Sequence, residues 1–268
     1  MPDPRAGATR RTHVAGIVSR TASFRPRTLK RFGAAAMPGI LCVAGFGDDG
    51  SMFTPLAGTE LAKRYRLVTF DLPGFGDEPP LTGRSATLAN LAKGVGDVAA
   101  AEGTGIVMAH SVASIIASLA ALRAGSGIHT ILSLEGNLTA ADAYFSGTAA
   151  DFESPETFHE VFLTRLEGMA AEDPILARYR ARVIHAQPHA LWTLGRDAAA
   201  FSARVVPGEI LLESSEAHYL HNPANCADSS MNWLRGSGMS AIELPGASHW
   251  ATVDVPQLVA DAALRVLA

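Results

Sequence analysis

The sequence predicts an α/β fold, in which a mostly parallel β-sheet is covered by helices on both faces. Short, largely apolar runs at residues 40–44, 66–71 and 106–109 have the composition of strands buried in a parallel sheet. Each run is followed by a turn of glycine or other small residues and then by a helix-like stretch. Because ligands bind at the carboxyl ends of the strands in such sheets, we expect the chemistry of the chain at that edge.

Length and composition limit the classes of function. The chain has 268 residues, which suffices for one large α/β domain or two small ones, and its net charge of −4 gives no broad attraction to nucleic acid. Two cysteines do not make a disulfide framework, and Cys42 lies in an apolar run, as a core residue would. No run approaches the roughly 20 apolar residues of a membrane span.

We expect a cytoplasmic protein with a small-molecule substrate and no nucleic-acid or membrane partner. Composition does not decide between a monomer and a homodimer.

The N-terminal segment is basic, with eight arginine or lysine residues against a single aspartate in residues 1–31. A basic N-terminus can serve as a targeting or membrane-contact segment. This one is interrupted by prolines and lacks the uninterrupted apolar stretch of a signal peptide. Because residues 12–32 alternate weakly between apolar and polar, we predict one or two opening edge strands there.

The first half of the chain alternates strands with helices predicted at residues 52–65, 86–101 and 112–122. The loop at residues 45–50 (GFGDDG) follows the first strand, and its glycines allow backbone amides to face a ligand. The turn at residues 71–76 (DLPGFG) follows the second strand. We interpret Asp71 as a structural hydrogen-bond acceptor rather than a catalytic group, since aspartate before a Pro-Gly turn usually binds nearby backbone N–H groups.

Ser111 lies between the third strand and its helix, in the sequence AHSVA at residues 109–113. Small residues two positions to either side are typical of a nucleophile on a tight strand-to-helix turn. The amide of Val112 starts the helix, where the helix dipole favours negative charge. The alternative is that Ser111 only caps the helix, and the local sequence does not decide between the two.

The pattern changes after the next predicted strand, residues 128–134, which is followed directly by Glu135. Residues 138–204 contain only helical stretches, at 154–169, 173–186 and 188–203, and the first begins with a serine followed by proline, a common helix start. Aromatic residues in this insertion either line a substrate pocket or fasten the insertion to the core, and the second role is expected for most of them. Our pocket candidates are His110, Phe145, Trp192 and Trp250.

The sheet is expected to resume with strands at residues 209–213 and 239–244, with helices at 223–234 and 255–267. His249 follows the last of these strands, in the sequence PGASHW at residues 245–250. His218 and His221 lie in a predicted loop and are expected to be exposed. His110 adjoins Ser111, but neighbouring side chains on a tight turn point apart, so His110 is a poor candidate base.

Together these motifs resemble the α/β-hydrolase superfamily, from about residue 40 to the C-terminus. The oxyanion loop is matched by AGFG (44–47), the following turn by DLPGFG (71–76), the nucleophile elbow by AHSVA (109–113) and the histidine loop by PGASH (245–249). The sequence departs from the family at four positions. Ala44 stands where histidine is usual, Ala109 and Ala113 replace the elbow glycines, and Asp77 stands where a small hydroxyl residue is common.

The resemblance implies a mostly parallel, eight-stranded sheet in a single domain, with a core at residues 1–137 and 205–268. Residues 138–204 would form a helical cap inserted after the sixth strand. It also implies a nucleophile, a base and an oxyanion hole. Ser111 would be the nucleophile. Because an unassisted hydroxyl is a poor nucleophile, it needs a base, and His249 would be that base in the chain order of the family. The backbone amides of Phe46 and Val112 would bind the oxyanion.

The acid that orients His249 has two candidates. The usual family position follows the seventh strand, where the sequence offers only Glu213 and Glu216 and no aspartate. Some members, including a subgroup of haloalkane dehalogenases, carry a glutamate after the sixth strand instead, which corresponds to Glu135. We prefer Glu135 because it ends a clean apolar run with a charge at the expected edge, and we keep Glu216 as the alternative.

These residues predict a serine hydrolase that cleaves an ester, lactone or thioester through an acyl-enzyme. Serine at the elbow disfavours an epoxide hydrolase or haloalkane dehalogenase, whose nucleophile is a carboxylate. An acyltransferase or C–C bond hydrolase with the same triad is the enzymatic alternative, and a small-molecule receptor with little turnover is the alternative from another class. No metal-ligand spacing, dinucleotide fingerprint or phosphate loop is present in the sequence, so we expect no cofactor.

Overall fold

The computed structural model describes residues 23–268, which form a seven-stranded sheet with helices packed around it. The strand order is β1-β3-β2-β4-β5-β6-β7. The pair β1–β3 is antiparallel and the remaining neighbours are parallel. The strands are β1 (Lys30–Phe32), β2 (Gly39–Val43), β3 (Arg66–Phe70), β4 (Ile106–His110), β5 (Thr130–Leu134), β6 (Glu216–His221) and β7 (Ser240–Glu243).

The mostly parallel α/β sheet is therefore confirmed, with seven strands in residues 23–268 rather than the expected eight. Most of the basic N-terminal segment and of the opening strands predicted at residues 12–32 lies outside the described residues. From residue 23 onward, the short edge strand β1 is what the structure contains of them. The central strands β2 and β5 are buried along their whole length, as expected for a sheet covered on both faces.

Two groups of helices pack against the sheet, with α3 contacting both α2 and α7 in one group and α1 contacting α10 in the other. The helices are α1 (Glu60–Arg64), α2 (Leu88–Glu102), α3 (Ala113–Ala121), α4 (Pro155–Ala170), α5 (Pro174–Val183), α6 (Pro188–Ser202), α7 (Pro207–Ser214), α8 (Asp228–Ser237), α9 (Ala251–Asp254) and α10 (Pro256–Val266). None of the helices in this part of the chain is long and apolar enough to cross a membrane.

The strand predicted at residues 209–213 is wrong. These residues belong to α7, which begins with Pro207 in the first helical position, and the next strand is β6. A run of three apolar residues does not distinguish strand from helix, and here only Leu211 of the three is buried, as on one face of a helix. The sequence of β6 contains His218 and His221, and these polar residues led to the prediction of a loop there. Both histidines are buried in β6, contrary to the expected exposure.

Between β5 and α7 the chain forms α4, α5 and α6, each within a few residues of its predicted position. Ser154 and Asp173 accept hydrogen bonds from the first turns of α4 and α5, and proline occupies the start of both helices. These three helices, with the two short 3-10 helices before them, make up the helical insertion of residues 138–204. Its assignment as a cap on a single domain stays a prediction.

Candidate active site

Ser111 occupies a strained turn between β4 and α3. Its φ angle is 54°, a left-handed conformation that costs a non-glycine residue about 1–3 kcal/mol and persists only where the surroundings enforce it. Two contacts do so. The Ser111 N–H donates to the Leu134 carbonyl at 3.0 Å, and the loop after β2 approaches so closely that a Cβ at Gly45 would lie 3.0 Å from the Ser111 Cβ.

The capping alternative for Ser111 finds no support. Helix α3 has Val112 at its N-cap position, without a side-chain hydrogen bond to its first turn. The Ser111 hydroxyl is partly exposed and lines a cavity instead. A serine in a left-handed conformation that lines a cavity at a strand-to-helix turn is the arrangement expected of a nucleophile.

His249 and Glu135 form a close pair at the same edge of the sheet. His249 Nδ1 lies 2.8 Å from Glu135 Oε2, and the side chain of Glu135 is only 2% exposed. Glu135 directly follows β5 with a φ angle of 44°, and its N–H donates to the Leu220 carbonyl at 2.9 Å. The tight backbone turn after β5 therefore aims the buried carboxylate across the edge of the sheet at the imidazole.

The other carboxylate oxygen of Glu135 is held by two asparagines that the sequence analysis missed. Glu135 Oε1 accepts from the Asn222 N–H at 2.9 Å and from Asn225 Nδ2 at 2.8 Å. Both asparagine side chains also donate to the Ala247 carbonyl in the histidine loop. A signal was present, because Asn222 follows β6 directly and Asn225 comes three residues later. The misplacement of that strand in the prediction hid their position at the edge.

Glu216, the alternative acid, is at the wrong end of its strand. It opens β6, opposite Thr130 at the start of β5, whereas Glu135 follows the end of β5. The six residues of β6 separate the two edges by roughly 17 Å at about 3.3 Å per residue. Glu216 is 71% exposed and lies 3.7 Å from His218. Glu216 therefore lies at the opposite end of β6 from Glu135 and not at the expected edge, because the strand was misplaced at residues 209–213.

Ser111 and His249 line one cavity, whose free volume of about 10 Å³ is room for about one water molecule. Among residues 23–268, no hydrogen bond joins the Ser111 hydroxyl to the His249 ring; catalytic hydrogen bonds often form only when substrate is bound. Most of the other lining side chains are aromatic. The cavity is lined by Phe46, His110, Ser111, Asp142, Tyr144, Phe145, Ser146, Tyr179, His249 and Trp250.

His110 supports the backbone of His249 instead of acting as a base. Its Nε2 donates to the His249 carbonyl at 2.9 Å, and the two rings are 4.7 Å apart. Burial, with a smaller contribution from His249, lowers the pKa of His110 well below its usual value. A neutral imidazole whose one N–H proton is donated to a carbonyl fixes the histidine loop against the elbow.

The proposed oxyanion donors are Phe46 and Val112. In the described chain neither backbone N–H has a protein acceptor, although both residues are buried. Phe46 follows Gly45 in the loop after β2, and Val112 precedes α3, whose N-terminus carries positive partial charge. Unpaired N–H groups at a buried site are costly unless a ligand accepts from them, which suits binding of an oxyanion.

Asp71 is structural, as the sequence predicted. Its Oδ1 accepts from the Gly50 N–H at 2.8 Å, and its Oδ2 accepts from the Asp77 N–H at 3.0 Å. The carboxylate thereby ties the turn after β3 to the loop after β2. Burial raises the pKa of Asp71, while these two hydrogen bonds act in the opposite direction.

Of the four pocket candidates, His110, Phe145 and Trp250 line the cavity and Trp192 does not. The Trp192 indole N–H donates to the Phe152 carbonyl at 2.9 Å, and the Arg196 guanidinium lies 4.5 Å from the indole ring. Trp192 contributes instead to a separate open groove on α6. Its selection as a pocket residue is wrong because composition does not reveal which face of a helix turns toward the sheet.

Asp142 is the one carboxylate in the cavity lining, and no lysine or arginine of the described chain lines it. Its Oδ2 accepts from the N–H groups of Leu138 and Thr139 and from the Ser230 hydroxyl. Burial raises the pKa of Asp142, while its hydrogen bonds and the nearby His249 lower it. Within residues 23–268 there is no group of three or more His, Cys, Asp or Glu side chains that could hold a metal ion.

The chain matches one protein-family model and is similar in fold to solved structures of hydrolases. Residues 40–262 match the model of a family described as the "Alpha/beta hydrolase family". No curated protein is significantly similar to the chain in sequence.

Several solved structures share the fold. A thermophilic esterase from Thermogutta terrifontis is 18% identical, with a TM-score of 0.69 over 90% of this chain and 92% of that one. The enol-lactonase from Burkholderia xenovorans LB400 is 17% identical, with a TM-score of 0.66 over 89% of this chain and 95% of that one. A hydrolase from Pseudomonas aeruginosa PA01 is 21% identical, with a TM-score of 0.67 over 89% of this chain and 93% of that one.

Proposed function

The chain is a hydrolase of the alpha/beta hydrolase family, and on this premise we propose that it is a serine hydrolase that cleaves an ester, lactone or thioester of a small, largely apolar substrate. One observation carries the proposal. The 2.8 Å pair of His249 and buried Glu135 shares a cavity with Ser111, which has a left-handed backbone conformation and lines that cavity. A nucleophile, a base and an orienting acid therefore converge at one edge of the sheet.

The proposed reaction proceeds through an acyl-enzyme. His249 Nε2 takes the Ser111 proton while Oγ forms a bond to the acyl carbon, and the N–H groups of Phe46 and Val112 stabilise the oxyanion. Collapse of this intermediate breaks the bond to the alkoxide or thiolate, which leaves with the proton from His249. Water then adds to the acyl carbon with His249 as base, and the acid departs as the Ser111 hydroxyl is restored.

Glu135 holds the proton of His249 on Nδ1 in this scheme. An ionised carboxylate accepts only, so the 2.8 Å contact places N–H on Nδ1 and leaves the Nε2 lone pair free for the serine proton. The imidazolium formed during acylation faces the same carboxylate, which stabilises its charge. The donors Asn222 and Asn225 keep the carboxylate in place throughout.

The cavity limits the substrate. With free space for about one water molecule, it accepts an acyl group only if a lining side chain moves. Tyr144 is the candidate to move, because it is 42% exposed and its ring packs edge-on against His249 at 5.7 Å. The aromatic lining favours apolar acyl groups.

The direct test is active-site labelling with a fluorophosphonate followed by peptide mapping. We expect one phosphonyl group on Ser111, because the probe reacts with activated serines and its tetrahedral adduct places an oxygen at the proposed oxyanion hole. Absence of label on folded protein would favour a receptor, and stoichiometric retention of a ligand without product would do the same. Transfer of the acyl group to an added alcohol in preference to water would favour an acyltransferase.

Asp142 leads to a prediction about substrate charge. We expect 4-nitrophenyl 4-methylpentanoate to be hydrolysed with a kcat/KM at least about tenfold above that of the nearly isosteric 4-nitrophenyl hemisuccinate, since like charges at about 4 Å cost about 1–4 kcal/mol near a protein surface. None of the described residues that line the cavity is a lysine or arginine that could offset this repulsion. Because burial raises the pKa of Asp142, protonation on acidification should reduce the discrimination as the pH falls through that pKa.

The control variants are Asp142→Asn and Asp151→Asn. Asparagine at position 142 keeps an oxygen for the three donors and removes the charge, so the ratio between the two substrates should fall several-fold. Asp151 is an exposed carboxylate elsewhere in the helical insertion, and its variant should leave the ratio unchanged. Equal rates on the two esters in the unmodified protein would show that Asp142 does not select substrate charge.

A further inference from the structure

Helix α5 of the helical insertion makes direct contacts with the loop after β2 that carries Phe46. The Tyr179 hydroxyl donates to the Phe46 carbonyl at 2.7 Å, and Tyr179 is only 2% exposed. Its ring packs 4.7 Å from that of Trp250, beside His249. Tyr179 thus connects the insertion, the loop after β2 and the histidine loop.

Two ion pairs reinforce the contact between α5 and this loop. Arg178 Nη1 lies 2.9 Å from Asp48 Oδ2, and Arg178 Nη2 donates to the Ser51 hydroxyl at 3.3 Å. One turn later, Arg182 lies 3.6 Å from Asp49. Asp48 is almost completely buried, so the charge of Arg178 is needed to offset the cost of removing this carboxylate from water.

Gly47 shows how closely the two segments approach. It has a φ angle of 73°, and a Cβ at this position would lie 2.8 Å from Val183 Cγ2 and 3.3 Å from the Tyr179 hydroxyl oxygen. The loop after β2 therefore has a conformation that suits glycine, pressed against the C-terminal half of α5. Movement of α5 away from the sheet would remove the contacts that hold Phe46.

We propose that Tyr179 is a positioning residue that holds the Phe46 amide in the oxyanion hole, so that the hole is complete only when α5 is docked. The carbonyl and the N–H of Phe46 belong to adjacent peptide planes joined at one Cα, and fixing the first restricts rotation of the second. This inference rests on the proposed serine hydrolase function. Tyr179 does not act as an acid in it, because its single proton is donated to the Phe46 carbonyl.

The chemistry of the phenol suits a permanent hydrogen bond. Burial raises the pKa of Tyr179 well above its usual value, and Asp48 adds to the shift. The hydroxyl thus stays protonated across the neutral range and remains a donor. A backbone carbonyl that accepts from such a donor in a buried site is held more firmly than one bonded to water.

The test is Tyr179→Phe, which keeps the ring and removes the hydrogen bond. We expect kcat/KM to fall about tenfold with KM within about twofold, less than the about 100- to 1000-fold loss on deleting an oxyanion donor. A trifluoromethyl ketone of substrate size should bind about tenfold more weakly, because its serine adduct carries an oxyanion. A purely structural role would not weaken this inhibitor in proportion to kcat/KM while sparing KM.

Tyr65→Phe is the matched control, because Tyr65 also donates to a backbone carbonyl, that of Leu267, at 3.0 Å and lies outside the cavity lining. It should leave kcat and the inhibitor affinity unchanged. If Tyr179→Phe does not fold, the same measurements are made on Asp48→Asn, which weakens the contact with Arg178. A lower kcat/KM and weaker inhibitor binding are then expected, and unchanged values overturn the positioning role.

The two proposals fail in different ways. Unchanged inhibitor affinity in folded Tyr179→Phe, with Ser111 still labelled by fluorophosphonate, overturns the positioning role and leaves the serine hydrolase intact. An equal loss of inhibitor affinity in Tyr65→Phe overturns it as well, since the effect would then be one of general stability. Lack of labelling of Ser111 in the unmodified protein overturns both.

Discussion

Ser111→Ala is expected to reduce kcat by about 10⁶-fold while leaving substrate binding nearly unchanged. Alanine removes the Oγ that would form the acyl-enzyme and keeps the backbone conformation of the elbow. The amides of Phe46 and Val112 would still bind the carbonyl oxygen, so a residual rate about 10³- to 10⁴-fold above that in water is expected from a direct attack by water. The measurement is single-turnover hydrolysis of a 4-nitrophenyl ester, with the release of nitrophenol followed optically.

Ser118→Ala is the matched control for this variant. Ser118 is a buried serine on α3, seven residues after Ser111, and its hydroxyl donates to the Ser114 carbonyl of the same helix at 2.8 Å. Its variant should retain kcat and fluorophosphonate labelling, whereas Ser111→Ala should lose both. Near-normal turnover by Ser111→Ala would eliminate the acyl-enzyme mechanism and leave the function of the cavity open to a different chemistry.

Glu135→Gln should lower kcat/KM by about 10⁴-fold, by trapping His249 in the wrong tautomer. The hydrogen bonds around Glu135 fix the orientation that the glutamine amide must adopt. The Asn222 N–H and Asn225 Nδ2 both donate to Oε1, so the glutamine oxygen must occupy that position and its NH₂ must face His249 Nδ1. An NH₂ group is a donor, which forces Nδ1 to accept and moves the ring proton to Nε2. Nε2 then cannot take the proton of Ser111.

The tautomer is measurable by ¹⁵N NMR of labelled His249, and the rate by the same ester assay. Glu216→Gln is the matched control, since it removes the same charge from the other candidate acid at the opposite edge of the sheet. Its kcat/KM should change by less than twofold. A large loss in Glu216→Gln together with normal activity in Glu135→Gln would reverse the assignment, and normal activity in both would show that His249 works without an orienting acid.

The sequence predicted the parts of the fold whose pattern is local. Buried parallel strands such as β2 and β5 are apolar on both faces, so they are recognisable without knowledge of their neighbours. Helices α4 and α5 begin with a capping residue followed by proline, a signal contained within one turn. Ser111 was predicted from its strand-to-helix turn, whereas His249 and Glu135 were predicted from their places after strands together with the resemblance to the α/β hydrolases.

Local pattern failed where packing decides the outcome. The apolar run at residues 209–213 was compatible with strand or helix, and in the structure it forms α7, which packs against α3. The true strand β6 carries two buried histidines, so its composition did not resemble a strand. That single displacement also put Glu216 at the wrong edge and hid the asparagines that hold Glu135.

The sequence by itself determined an α/β sheet with a serine, a histidine and a carboxylate at the ends of its strands, because strand burial and turn chemistry are local properties. Only the tertiary structure decided which carboxylate meets His249, which aromatic side chains face Ser111, and that Tyr179 of α5 bonds the Phe46 carbonyl. These are contacts between residues distant in the chain, 114 positions apart for Glu135 and His249 and 133 for Phe46 and Tyr179. Such contacts depend on register, helix rotation and loop direction, and no short stretch of sequence encodes them.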